Sequence, residues 1–392
     1  MNSQAQLRIL RTLPEVEEIR PAWESWPGHR DSDIDFFSNV VESNPGTIRP
    51  HVIVAYRDGK PDAILIGRID LTTLPLRIGY WRVPTPRIRL LTFVIGAQRG
   101  NSSPEVSELL FREALNSLRR READVARMEY VRANSVLHRL AKSLPGIVRR
   151  DHGAVSGPHW IMELPKTYEG VLQALSGDLR GQLKRKAKKI QADFASLSVR
   201  CFEKPEELDV MMRDVETVAA KSYQRGLGVG FSDNPGTRQG ISYQMARGRY
   251  LGYVLYLEGK PSTFWLGSVY GSVFYSDYLA YDPAFSGYSP GTFVQTKVLE
   301  DLLARQVTSL DFGPGDARYK AQWGTTCHEE VTLYVFPSAF RGVALNLLRT
   351  LSALGNKAAK AVVRGVGVLP RLKRILRDAK RVAPERKTAG TT

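Results

Sequence analysis

Gly287, Tyr288, Ser289, Pro290 and Gly291 lie between an apolar, aromatic-rich run, Val273–Tyr281, and a stretch with Phe293, Val294, Val298, Leu302 and Leu303 at helical spacing. Two chemistries compete for these five residues. They match G-x-S-x-G, the nucleophile elbow of serine hydrolases. In that elbow the residue after the serine donates its backbone N–H to the oxyanion, and Pro290 has none. The preceding run also ends too early for a strand-to-serine turn, so the hydrolase reading is disfavoured. The other reading is an anion site. Strand, glycine turn, helix and a second strand, Val307–Phe312, would aim the amides of Gly291, Thr292 and Phe293 and a helix dipole at a phosphate or pyrophosphate, with Thr292 in the first turn. Within the first run, Asp277 has the reach of a general base toward an acceptor that must lose a proton; otherwise it is a surface residue of an alternating strand.

The order Tyr281-Asp282, Ser289-Pro290-Gly291, Asp311-Phe312-Gly313 and Tyr319-Lys320 leading to Trp323 resembles the cellulose-biosynthesis-type acetyltransferases of the GNAT superfamily. That group is close in fold to the FemAB-like peptidoglycan aminoacyltransferases. The resemblance covers about residues 170–336 and the first half only in outline. It implies an α/β fold with mixed sheets in two tandem GNAT-like halves, and acyl transfer to nitrogen or oxygen with acetyl-CoA as co-substrate. It further implies that Val273–Tyr281 and Val307–Phe312 splay apart around a pantetheine arm, and that Tyr281, Ser289, Gly291, Thr292 and Phe293 bind the coenzyme. Tyr319 and Lys320 would be catalytic or oxyanion-stabilising, beside Asp277. The turn departs from the usual Gln/Arg-x-x-Gly-x-Gly/Ala pattern, because Pro290 removes an amide and no arginine leads it. Asp311 and Asp316 read as structural, capping a helix that begins near Ala317. The implied acceptor is a sugar, a polysaccharide precursor or a lipid head group. Two alternatives stay open: transfer from aminoacyl-tRNA, and a scaffold without catalysis.

The elements that must position these residues need a long chain. With 392 residues, 43% of them apolar and 24% charged, there is material for two full cores. The two cysteines, Cys201 and Cys327, are far apart and have no ligand set around them. Neither a disulfide framework nor a zinc site is expected, and the six histidines do not cluster. No apolar run is long enough for a signal peptide or a membrane span, so a cytoplasmic setting is the default. The net charge of +16 is concentrated at the end, where 338–392 holds thirteen Lys and Arg against Asp378 and Glu385. The body is only mildly basic, and no specific nucleic-acid partner is expected.

Read in order, Leu7–Leu10 starts a strand, Pro14 opens a helix through Val16, Ile19 and Trp23, and Ile34–Val41 forms another. Asp58-Gly59-Lys60-Pro61 then turns a hairpin, and Glu258-Gly259-Lys260-Pro261 repeats it two hundred residues later. Each is followed by an apolar strand with a late glycine, Gly67 or Gly267, then by a further strand, a helix (104–120 or 292–305) and a strand around Met128–Tyr130 or Leu310–Phe312. This order predicts an internal duplication. The expected divisions are 1–165 as an N-terminal half shaping an acceptor cleft, 166–336 as the acetyltransferase domain, and 337–392 as a basic amphipathic tail. Asn134 is expected to cap a helix, and 226–240 to form a flexible loop. The helix at Leu179–Phe194 carries Arg180, Lys184, Arg185, Lys186, Lys188 and Lys189, either as a solvated face or as a patch steering an anionic ligand. In the tail, the apolar period from Phe340 to Leu354 and the basic segment after Pro370 fit a helix packed on the body or a peripheral anchor to anionic lipid. Ala383–Thr392 is expected to be disordered.

Overall fold

The computed structural model describes residues 6–78, 81–226 and 230–365. Within these the chain forms two compact units, one of Met1–Pro158 with His328–Val366, the other of His159–Cys327. The basic segment after Pro370 and the last ten residues lie outside the described residues.

The first unit opens with β1 (Gln6–Leu10), α1 (Leu13–Glu17), α2 (Arg20–Ser25) and α3 (Ile34–Ser43). One helix was expected from Pro14 to Trp23; there are two. Pro21 cannot donate a backbone N–H to the preceding turn, so the helix restarts there. Next come β2 (Thr47–Pro50), the hairpin β3 (Val52–Arg57) and β4 (Lys60–Thr73), and a two-residue ladder of β5 (Arg77–Ile78) with β6 (Trp81–Arg82). The long β7 (Arg87–Gly100), α4 (Pro104–Arg119), β8 (Val125–Arg132), α5 (Val136–Ser143) and β9 (Ser156–Glu163) complete the first half of the chain. Ser135, not Asn134, caps α5: its hydroxyl accepts from the His138 amide, while Asn134 takes a left-handed φ of 64° just before it.

In the second half follow α6 (Tyr168–Ala174), α7 (Gly177–Asp193), β10 (Leu197–Phe202), α8 (Leu208–Ala219), α9 (Tyr223–Gly226) and α10 (Pro235–Met245). The segment expected as a flexible loop thus contains the first half of α10, which Asn234 caps through the Thr237 amide. Then come β11 (Tyr250–Leu257), β12 (Lys260–Tyr270), β13 (Val273–Tyr281), α11 (Pro290–Ala304), β14 (Ser309–Pro314) and α12 (Arg318–Trp323). The chain ends its described part with β15 (Thr326–Val335) and α13 (Phe340–Gly365).

Both units have the same sheet. In the first the strand order is β1-β3-β4-β7-β8-β15, and in the second β10-β11-β12-β13-β14-β9. All neighbours are antiparallel except one pair in each, β7 with β8 and β13 with β14, and a helix (α4 or α11) links each parallel pair. Detail repeats as well. The hairpin turns place Asp58 and Gly59 at φ 51° and 76°, and Glu258 and Gly259 at 49° and 71°, the two consecutive positive φ values of a type I′ turn. Register shifts fall at Ala55/Tyr56 and Leu255/Tyr256, then at Leu65/Gly67 and Leu266/Gly267. This is the expected internal duplication. The last strand of each sheet, however, comes from the other end of the chain: β15 closes the first unit and β9 the second.

The second sheet is buried on both faces, so β12 reads as a nearly continuous apolar run instead of an alternating one. Trp265 faces a core shared with α6, α7 and α11, whereas Phe264 and Leu266 face one shared with α8 and α10. Cα–Cβ alternation along the strand separates the two.

Phe340–Leu354 forms part of a helix packed on the first unit. Asn346, Arg349 and Ser352 of α13 bond to Val148, Arg150, Asp151 and Arg77 of the first unit.

Candidate active site

In the second unit β13 and β14 pair over only three residues, Val273–Tyr275 with Ser309–Asp311. Beyond Tyr275 they part. The cause lies one strand away: Leu266 pairs with Tyr278 but Gly267 with Ser276, so Asp277 is the extra residue of a β-bulge. Gly267 permits it, since a Cβ there would lie 2.4 Å from both the Phe274 ring and the Tyr275 carbonyl oxygen. The bulge bends β13 away, and its last residues border an open cleft of about 580 Å³.

Each wall of the cleft belongs to one element. Leu279, Ala280 and Tyr281 come from the end of β13, Arg318, Tyr319, Gln322 and Trp323 from α12, Tyr223 and Gln224 from α9, and Leu179, Gln182 and Lys186 from α7. The remaining side is Ser286, Ser289, Gly291, Thr292 and Gln295, the turn and first two turns of α11. Ser289 is held at φ 51°, a left-handed conformation that is costly for a serine, and its carbonyl accepts from the Thr292 amide at 2.9 Å. Pro290 follows as the first helical residue, and the positive end of the α11 dipole opens into the cleft. Nothing lies within 4 Å of a Cβ placed at Gly287 or Gly291. No neighbour in the chain therefore requires these positions to be small, and the open space is the room a bound group would need.

The basic helix α7 serves this turn. Lys186 lines the cleft, and Lys189 donates to the Gly287 carbonyl at 3.3 Å while lying over the Tyr288 ring. Arg180 instead donates to the carbonyls of Leu172 and Gln173 at the end of α6. Lys184, Arg185 and Lys188 face solvent.

The eight residues singled out in the sequence are not all in one place. Tyr281, Ser289, Gly291, Thr292 and Tyr319 line the cleft; Asp277, Phe293 and Lys320 do not. Phe293 is buried in the core beneath α11. Lys320 is buried too, and its Nζ donates to the carbonyls of Gly313 and Pro314 at 3.2 and 2.8 Å. Burial holds its pKa below the ordinary lysine value, with Asp311 acting in the opposite direction. Asp277 is half-buried at the bulge. Asp311 accepts from the Gly313 amide and bonds His159 Nε2 at 2.7 Å, fixing β14 against β9. Asp316 is exposed and caps nothing, because α12 starts at Arg318 with Ala317 at the N-cap.

Tyr319 packs edge-on against Phe312, and burial pushes its phenol up to about 12, with Tyr223 adding to the effect. At neutral pH it is a proton donor and not a base. None of the described lining residues is a carboxylate, a histidine or a cysteine, while two are cations. Two polar groups escaped the sequence reading. Gln295 is 3% exposed, lines the cleft and leaves its Nε2 without a hydrogen-bond partner. The Gln224 Nε2 donates to the Leu279 carbonyl at 3.1 Å, which leaves its buried Oε1 unpaired. Only the low polarity of the helical positions around Gln295 marks it in the sequence. Nothing there marks Gln224.

Residues 177–321, which include all of these cleft residues except Gln322 and Trp323, match the family model described as an acetyltransferase (GNAT) domain. The chain carries a GNAT acyltransferase domain. Around that domain the tandem GNAT-like fold extends over both units. FemX superposes with a TM-score of 0.58 at 13% identity, covering 85% of this chain and 97% of its own. A conserved protein of unknown function from Bacteroides thetaiotaomicron VPI-5482 gives 0.51 at 13% identity, covering 85% and 100%. Likeness at these identities is a likeness of fold. No curated protein matches the chain in sequence.

Proposed function

We propose that the GNAT domain transfers an acyl group, most simply acetyl, from coenzyme A to a nitrogen or oxygen of a sugar, a polysaccharide precursor or a lipid head group. The observation that carries the reading is the splayed β13/β14 pair opening onto the positive start of α11, in a cleft with Lys186 and Arg318 and no described acid. An acyl-CoA suits each part. Its pyrophosphate would meet the α11 terminus, the open Gly287 and Gly291, and the two cations. Its pantetheine amides would bond the free edge of β13.

In the transfer, a lone pair of the acceptor forms the new bond to the acyl carbon, the carbon–sulfur bond breaks, and the thiolate leaves. Tyr319 is the group in the cleft able to give the thiolate a proton, and an acid–base contribution of this kind is worth about 10²–10⁴-fold. The proton lost by the acceptor passes to water, since the described lining supplies no base.

Calorimetric titration of acetyl-CoA and of coenzyme A at low and moderate salt tests this. Saturable binding of both that persists at moderate salt is expected. Heat that vanishes with salt would reduce the attraction to diffuse charge and overturn the reading. The second reading, transfer from aminoacyl-tRNA, draws support from the solvent-facing Lys184, Arg185 and Lys188 on α7. It requires binding of charged tRNA together with indifference to coenzyme A.

A further inference from the structure

Helix α13 leaves an apolar stripe in solvent. A surface helix normally buries its apolar face and shows water its polar one. The face that α13 turns to the first unit is mixed: Leu345 is buried in a small core with Leu348 against it, and polar side chains supply the rest. Asn346 Nδ2 donates to the carbonyls of Val148 and Arg150 at 2.9 and 2.7 Å, and Arg349 forms a bidentate pair with the buried carboxylate of Asp151. Ser352 Oγ donates to the Arg77 carbonyl at 2.7 Å, and Asn356 donates to the same oxygen. The outward face holds Phe340, Ala344, Leu347, Leu351 and Leu354, spaced four, three, four and three. Phe340 is 89% exposed, and the three leucines are 58, 54 and 55% exposed. These buried polar bonds fix the rotation of the helix, so the apolar stripe cannot turn inward.

The start of the same helix borders a groove of about 770 Å³ lined by Arg89, Arg119, Arg121, Arg149 and Arg341, with Asp124 as its one described carboxylate. Asp124 is already paired with Arg89. The first turn of α13 has no acidic residue and includes Arg341, a cation at the positive end of a helix dipole. Arg149 donates its Nε to the Phe336 carbonyl, while its buried Nη2 has no partner. Burial and the Arg119 charge depress its pKa. Positive charge is gathered here without the anion that would balance it. Ile147 and Val148, 70 and 51% exposed, stand beside Arg149.

We propose that this face of the first unit docks on an anionic phospholipid bilayer, with the arginine groove receiving head-group phosphate and the α13 stripe lying among the upper acyl chains. Charge decides the occupant. A second copy of the chain on this face would bring two arginine-rich grooves together. The flanking places of the heptad-like stripe hold Arg341, Val343, Leu348, Thr350, Gly355 and Lys357, two cations and no acid, so they offer no opposite charges to pair a coiled coil. An anionic surface satisfies both the groove and the stripe. The proposal is independent of the chemistry in the GNAT cleft.

The test is flotation of the full-length protein with vesicles of phosphatidylglycerol and phosphatidylcholine, and with phosphatidylcholine alone. Binding to the mixed vesicles only is expected. The pair Leu347→Asn and Leu351→Asn, both solvent-facing, should lower the bound fraction about tenfold at unchanged Tm. Leu354→Ser gives a milder version should the pair fold poorly, and Arg341→Ala with Arg149→Ala should weaken the preference for phosphatidylglycerol. Absence of binding to the mixed vesicles would overturn the proposal. Binding that ignores the leucine changes would also do so, leaving the basic segment 366–392 to account for it. A third contrary result is a leucine variant that dissociates a dimer in sedimentation while vesicle binding stays intact, which would give the face to a second copy.

Discussion

Lys320 Nζ lies 2.8 Å from the carbonyl oxygen of Pro314, so the ammonium ties α12 to the end of β14 and sits behind the cleft wall that Tyr319 faces. Lys320→Met is expected to cost about 1–3 kcal/mol of stability by removing two buried charge-assisted bonds. Thermal melting reads that loss. In the folded fraction coenzyme binding should change by less than about threefold, on the order of 0.6 kcal/mol. An unchanged Tm combined with a large fall in kcat would return the lysine to the chemistry.

Tyr319→Phe should lower kcat by about 10²-fold or more if the phenol protonates the leaving thiolate. Because burial pushes this phenol up to about 12, it stays protonated throughout the working range. The pH–rate profile below pH 10 should therefore keep its shape in the variant, with only its height reduced. A basic limb that disappears with the hydroxyl would contradict the assignment.

Gln295→Leu separates binding from folding. The wild-type amide is buried with an unpaired donor, a situation that costs about 1–3 kcal/mol. Replacing it with an apolar group of similar size should leave the melting temperature equal or higher, while coenzyme or acceptor affinity falls about tenfold. A lower Tm with intact affinity would make Gln295 a structural residue.

Two glycines give opposite expectations. Gly267→Ala places a methyl 2.4 Å from the Phe274 ring and the Tyr275 carbonyl, and should destabilise by about 1–3 kcal/mol through overpacking at the bulge. Gly291→Ala meets no atom within 4 Å and should leave stability unchanged, within about 0.5 kcal/mol. It should weaken coenzyme binding severalfold, as the calorimeter would show.

In the first unit, burial depresses the pKa of His51 to about 3, with the Arg49 charge adding to the effect. As pH falls below 6.5 the unfolded chain takes up a proton that the fold refuses, so stability is lost progressively down to about pH 3. Between pH 7 and 5 the cost should reach about 2 kcal/mol. His51→Gln, which can keep the bond to the Ser117 hydroxyl, should lose that slope. Urea midpoints at the two pH values decide it; the buried His138 shifts in the same direction and remains in both proteins.

The duplication was legible because it is written locally: Asp-Gly and Glu-Gly turns with Lys-Pro after them, late glycines, and apolar periods of the right length. The turn that opens α11 was legible for the same reason, since Gly287, Pro290 and Gly291 sit together in sequence. Asp277 was visible as a residue but not as the extra one of a bulge, because register depends on a partner strand that sequence spacing does not fix. Lys320 and Tyr319 are adjacent in sequence yet lie on different sides of α12, where one residue is a rotation of about 100°. Gln224 faces the cleft because α9 is placed there by tertiary packing. That β9 and β15 close the sheets was hidden because their partners are far away along the chain.

Those closing strands impose a schedule on synthesis. The first sheet lacks its β15 edge until residue 335 has left the ribosome, and by then all of α6 to α12 has already been made. At roughly 5–20 residues per second, the early half waits on the order of ten seconds or more with β8 unpaired on that side. An exposed edge of this kind invites pairing with other nascent chains. Truncation near residue 165 would make the delay permanent, so an isolated N-terminal half should aggregate where the whole chain does not.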